Sequence, residues 1–111
     1  MSIPVTTTFT IDGYRIREYK GVVRGIVVRS PTISQGIVGG LKSFIGGRIG
    51  AYTEMCEQAR QQAYEVLIDH ARQVGANAIL GLRYDASEVG GSKATEVLCY
   101  GTAVVIERIE G

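Results

Sequence analysis

One stripe of small and aliphatic side chains constrains this chain more than anything else in it. Tyr52, Met55, Cys56, Ala59, Ala63, Val66, Leu67, Ala71 and Val74 recur at helical spacing. Glu54, Glu57, Gln58, Arg60, Gln61, Glu65, Asp69, Arg72 and Gln73 fill the positions between them. A helix of this pattern must lay its apolar face on a second layer. Glu57–Arg60 and Asp69–Arg72 are i,i+3 pairs worth a few tenths of a kcal/mol each, and Gly75 supplies a left-handed C-cap.

A glycine-dense stretch, Gly39–Tyr52, feeds this helix. Such a stretch makes either a tight joint between elements or a cradle for a ligand. Its first half, Gly36-Ile37-Val38-Gly39-Gly40-Leu41-Lys42-Ser43, is one residue away from a phosphate-binding loop. Leu41 stands where that motif needs its second glycine, and a side chain there obstructs backbone wrapping of phosphates. The second half is the better anion candidate. Gly46, Gly47 and Gly50 offer backbone N–H groups at a helix start, Arg48 can make a bidentate contact, and Tyr52 adds a hydroxyl. The simpler reading is that the glycines only make the turn while Arg48 pairs with a carboxylate of a neighbouring subunit.

Strand patterns lie on both sides. Ile3, Val5, Thr7, Phe9 and Ile11 alternate, Asp12-Gly13 is a turn signal, and alternation resumes from Tyr14 to Tyr19. Gly21 interrupts it before a second β-rich run, Val22–Val28, and Gly21 and Gly25 mark bulges or places of close backbone approach. Ser30-Pro31 ends that run. From Ile33 the pattern changes, and Ile37, Val38, Leu41, Phe44 and Ile45 suggest a short helix, weakened by Gly36, Gly39 and Gly40, which cost about 1 kcal/mol each against alanine. Ala78–Tyr84 reads as a third strand, Ser87–Ser92 as a loop and Thr95–Glu107 as a long fourth strand. That last strand is apolar on both faces, with Leu98, Tyr100, Val104 and Ile106 on one and Val97, Cys99, Ala103 and Val105 on the other. One long helix covers only one face of a small sheet. The short helix or another copy of the chain must cover the second, which predicts a homo-oligomer.

The expected fold is thus α+β, a two-layer antiparallel sheet with one short and one long helix in the order β-β-α-α-β-β, forming a single domain over residues 1–111. The length allows only a modest core. A net charge of +1 disfavours a polyanion-binding protein, although Arg15, Arg17, Lys20 and Arg24 with Tyr14 and Tyr19 form a small basic patch without a nucleic-acid-binding signature. Up to Gly50 there are seven basic residues against two acidic, and beyond it five against nine. The two halves therefore complement each other within or between subunits. The start of the chain lacks the pattern of a signal peptide and no apolar run reaches membrane-spanning length. With two distant cysteines, Cys56 and Cys99, the expectation is a reduced, cytoplasmic protein without a membrane partner.

No catalytic constellation is present, and the expectation is a non-enzyme. Metal ligands are sparse. Cys56 and His70 share a helix face but stand about 21 Å apart at 1.5 Å per residue. Cys56 belongs to the apolar stripe and reads as a core residue. Cys99 is the thiol placed on a strand that could line the interior of an assembly, and a buried structural thiol is its simpler reading.

Several segments together carry a resemblance. They are Thr6-Thr7, Gly13-Tyr14, Glu18-Tyr19-Lys20-Gly21-Val22-Val23, Gly46-Gly47-Arg48-Ile49-Gly50-Ala51-Tyr52, Ala59-Arg60, Gly75-Ala76-Asn77-Ala78-Ile79 and Tyr100-Gly101-Thr102-Ala103-Val104. In this order the chain resembles the YbjQ-like family of small bacterial and archaeal proteins of unknown function, which carry a heavy-metal-binding label. The resemblance implies helices packed on an antiparallel sheet, ring-like homo-oligomers, pentamers in particular, and a heavy metal as the one cofactor to consider. Members commonly carry a glutamate where this chain has Ile26 and an acidic residue where it has Ser43, so two carboxylates that could serve as ligands are missing here. A homo-oligomeric binding module for a metal or small anion is the function expected first, a purely structural ring second and an enzyme third.

Overall fold

The computed structural model of the chain describes residues 3–29, 48–90 and 94–110, with helix side chains described from Thr53 onward. Among the described residues four elements follow one another: β1 (Tyr14–Arg29), α1 (Arg48–Gln73), β2 (Ala78–Val89) and β3 (Ala94–Arg108). The strands form an antiparallel sheet in the order β1-β3-β2, and α1 lies on one face. The fold is α+β.

Several local expectations change. The runs Tyr14–Tyr19 and Val22–Val28 are one strand, because β1 absorbs the interruption in register shifts at Ile16/Glu18 and Tyr19/Gly21. Gly21, at φ +100°, makes the second shift possible, in a region where side-chain-bearing residues are strained. The segment before β1 does not pair with it as a hairpin. Val5 instead forms an isolated parallel bridge with Ile79, and backbone bonds join Pro4, Thr6 and Thr8 to Ile79, Gly81 and Leu82 along the outer edge of β2. Side-chain bonds within the threonine run compete with a regular ladder there, as Thr6 Oγ1 accepts from Thr8 N and Thr8 Oγ1 donates to Thr10 O. The Asp12-Gly13 turn is present, with Tyr14 N donating to Ile11 O and Gly13 at φ +84°. β2 continues through Ser87 to Val89, where a loop was expected. The expected short helix over Ile33–Ile45 lies outside the described residues, which hold a single helix.

Helix α1 buries a narrower seam than its sequence suggests. Met55, Ala59, Ala63, Leu67 and Ala71 are buried, whereas Cys56 and Val66 are exposed. The buried residues are spaced by four. At 3.6 residues per turn such a row winds about 40° around the helix at each step, so a stripe assigned by one fixed direction misplaces its flanks. The row is mostly alanine because the helix comes very close to the sheet at Gly25. Val23, Val97, Cys99, Ala103 and Ile79 complete this core from the sheet side. A smaller cluster of Ala78, Leu80 and Val104, with Ile11, Ile16 and Ile106 beside it, occupies one end of the opposite face.

The helix end shows why the sequence stops it there. Gly75 adopts φ +83°, Gly75 N donates to Arg72 O, and Ala76 N donates to Ala71 O at 3.0 Å. Arg72 in the last turn complements the helix dipole.

Candidate functional site

The anion candidate begins where α1 begins. Arg48 and Gly50 lie inside the first helical turn, so the joint is shorter than expected. Gly46 and Gly47 fall outside the described residues, as do the side chains of Arg48 and Tyr52. No acidic residue occupies that first turn, and the helix carries no carboxylate of its own against its amino end.

Cys99 is fully buried on the helix-facing side of β3, between sheet and helix, and does not reach an outer surface of the subunit. Tyr84, its partner in the β2–β3 register, donates its hydroxyl to the Cys99 sulfur. The Arg60 guanidinium stands 5.2 Å from the centre of the Tyr84 ring, a cation–π arrangement that takes Arg60 from the expected pair with Glu57. Burial pushes the Tyr84 hydroxyl up to about 12, and the neighbouring Cys99 adds to the rise while Arg60 opposes it. Burial also raises the Cys99 thiol above its ordinary value, against the opposing pull of Tyr84 and Arg60. The Cys99 sulfur is therefore a neutral thiol at neutral pH, with little nucleophilic character. Sequence reasoning placed Cys99 on a buried strand face but missed Tyr84 and Arg60, which come together only through sheet register and helix docking.

A third feature lies on the free side of β1. His70 reaches from α1 to the strand edge, where its Nδ1 accepts the Arg24 N–H at 3.2 Å and lies 3.4 Å from the Arg24 carbonyl. Val66, Asp69 and Gln73 of the helix and Ile26 of the strand line the shallow groove around it. The basic patch of β1 is partly neutralised, because Arg15 pairs with Glu107 and Lys20 with Glu18.

A family model described as "Putative heavy-metal-binding" matches residues 3–107. The chain belongs to the YbjQ-like family. A UPF0145 protein of Legionella pneumophila strain Lens is 58% identical over 106 residues, covering 96% of this chain and all of the relative. A UPF0145 protein of Francisella tularensis is 53% identical over 103 residues, 92% of this chain and 97% of the relative. A crystal structure of a protein of unknown function from Pediococcus pentosaceus, of the DUF74 family, superposes with a TM-score of 0.63 at 24% identity. It covers 95% of this chain and 98% of its own. That likeness bears on the fold.

The YbjQ-like segments of the chain have structural work to do. In Gly75-Ala76-Asn77-Ala78, Gly75 caps the helix and both alanines are buried. Asn77 clamps β3: its Nδ2 donates to Ile106 O at 3.1 Å and its Oδ1 accepts from Ile106 N at 2.7 Å. In Tyr100-Gly101-Thr102, a side chain at Gly101 would meet Ile79 Cγ2 at 2.7 Å.

The donors among the described residues of one subunit do not fit a heavy metal. Soft metals need several thiolate or imidazole donors converging on one point. Among the described residues no three His, Cys, Asp or Glu side chains converge. Cys99 is a buried neutral thiol bonded to Tyr84, Cys56 is exposed on the helix, and the His70 Nδ1 is engaged at the β1 edge. Among the described residues no helix is long and apolar enough to cross a membrane.

Proposed function

We propose that the chain is a cytoplasmic, non-enzymatic binding module that works as a homo-oligomer, a ring of five copies on the family resemblance, with its ligand sites created by assembly. The observation that carries this reading is the apolar surface left on β1. Val22 is 72% exposed, Val28 58% and Ile26 45%. These residues lie on the sheet face that α1 does not cover, in register with Thr102, Glu96 and Leu98. Three branched apolar side chains on one strand of a small domain favour contact with another surface.

A site made by assembly also suits the sparse donor set, since a ring multiplies each ligand by the number of copies. A metal or a small anion at the α1 amino ends is the ligand class proposed. The test is mass by light scattering at micromolar concentration, joined to elemental analysis of protein purified without an affinity tag. A discrete oligomer with stoichiometric metal or phosphate supports the module, and a monomer overturns it. The buried, neutral Cys99 favours a second reading, a ring whose role is structural. An intact oligomer without metal or bound anion would select it.

A further inference from the structure

The chain contains one histidine, and it stands where the helix meets the edge of a strand. Among the described residues β1 pairs with β3 alone. On its other side the half-buried His70 ring reaches over from α1 to Arg24. The ring Nδ1 lies 3.2 Å from the Arg24 nitrogen and 3.4 Å from the Arg24 carbonyl oxygen. Both backbone groups of one residue thus face a single ring atom.

The two contacts need opposite protonation states of that atom. The Arg24 N–H donates only to a bare Nδ1, whereas the carbonyl accepts only from Nδ1–H. The N–H contact is the better formed, because 3.4 Å exceeds the usual length of a bond to a carbonyl oxygen. A neutral ring with its proton on Nε2 therefore fits the structure. A proton on Nδ1 would set two donors against each other and leave the carbonyl as the partner within reach.

Among side chains, histidine is the one whose charge ordinarily changes between pH 5 and 8. The charged groups facing the ring come from both elements packed there. Arg24 of β1 and Asp69 of α1 line its groove, with Ile26, Val66 and Gln73. Asp69 also approaches Arg72 at 4.0 Å. Lys20, farther along β1 beside Gly75, is paired with Glu18.

We propose that His70 is a pH-operated latch between α1 and the edge of β1. Neutral, its Nδ1 holds the Arg24 N–H and closes that position of the edge. Protonated, the ring gives up the N–H and moves a few tenths of an ångström toward the Arg24 carbonyl. The freed N–H is then open to water or to another acceptor. The charge gained also suits the last turn of α1, whose carbonyl end favours a cation. The latch lies within one subunit and does not depend on assembly.

The test is nuclear magnetic resonance of the nitrogen-15-labelled chain from pH 5 to 8. With one histidine present, the ring Cε1–H resonance reports its charge directly. The Arg24 amide resonance should move with the same midpoint as the ring. Its exchange with solvent, corrected for the intrinsic effect of pH, should become about three- to tenfold faster in the acid form. His70→Phe should abolish the movement and leave exchange fast at both ends of the range. An Arg24 amide that ignores the titration of the ring overturns the latch. So does one that titrates unchanged in a folded His70→Phe, and so does a ring that keeps one charge throughout.

Discussion

A methyl group on Gly25 would fall onto the carbonyl oxygen of Ala63 and 2.7 Å from Leu67 N. Both obstacles are helix backbone, which cannot swing aside as a side chain does. The absence of a side chain at Gly25 therefore fixes how closely α1 lies on β1, and the alanine row Ala59, Ala63 and Ala71 is the helix's matching half of that contact.

Gly25→Ala should lift the helix and loosen the core. Overpacking of this kind costs about 1–3 kcal/mol, and the backbone contact places this case at the upper end or beyond. Chemical denaturation would show a lower midpoint. Gly13→Ala is a useful contrast, because nothing lies within 4 Å of its added methyl and only the φ of +84° opposes it. Its cost should be smaller, about 1 kcal/mol. Equal losses at the two positions would contradict the close-approach account.

Gly25 also shows how far the sequence can be read. A glycine inside a strand pattern marks either a bulge or a close approach, and β1 has one of each: Gly21 takes the positive φ and Gly25 the close contact. The long helix, its C-cap and the two-faced apolar character of β3 were legible because they depend on local periodicity. The pairing of the first segment with β2 was not, since alternation marks a strand without naming its neighbour. The same limit hid the Cys99–Tyr84–Arg60 cluster. Tyr84 and Cys99 meet only through the β2–β3 register, and Arg60 joins them only because the buried helical row winds around α1. That winding also reversed the expected place of Cys56, which the sequence put in the core and the fold leaves exposed.

The two thiols should differ sharply toward a thiol reagent. Cys56 is exposed and should be modified at once in the native protein, whereas Cys99 is shut between sheet and helix and should react only as the protein opens. Cys56→Ser should remove the fast phase of a thiol titration and leave the slow one. A fast phase that survives Cys56→Ser would show Cys99 to be accessible and would contradict its place in the core.

Asn77 holds the start of β2 to the end of β3 with two side-chain bonds to Ile106, in addition to its own backbone bond to Val104 O. Asn77→Ala removes both side-chain bonds. At about 0.5–1.5 kcal/mol net for each, the loss should be about 1–3 kcal/mol. Asn77→Asp keeps the acceptor for Ile106 N but faces Ile106 O with an oxygen in place of a donor. It should therefore recover little at neutral pH and more in acid, where a protonated carboxyl can donate. Equilibrium unfolding of the three proteins at two pH values would check the order.

Tyr84 and Cys99 make stability sensitive to alkali. Burial holds both groups in their protonated forms in the folded state, raising Tyr84 to about 12 and the Cys99 thiol above its ordinary value of 9. The unfolded chain releases these protons first, from about pH 9 for a thiol and about 10 for a phenol. Between those values and the folded ones, the native state binds more protons than the unfolded state, so stability falls as pH rises. The contribution is fully present below about pH 9 and is lost on the way to about 12. Tyr84→Phe removes the phenol and its hydrogen bond to the sulfur. It should cost some stability at neutral pH and make the alkaline decline shallower, and Cys99→Ala should remove the part that begins earliest. Unfolding followed from pH 7 to 11 would show this, and an unchanged alkaline slope in Tyr84→Phe would mean that the hydroxyl titrates as it does in water.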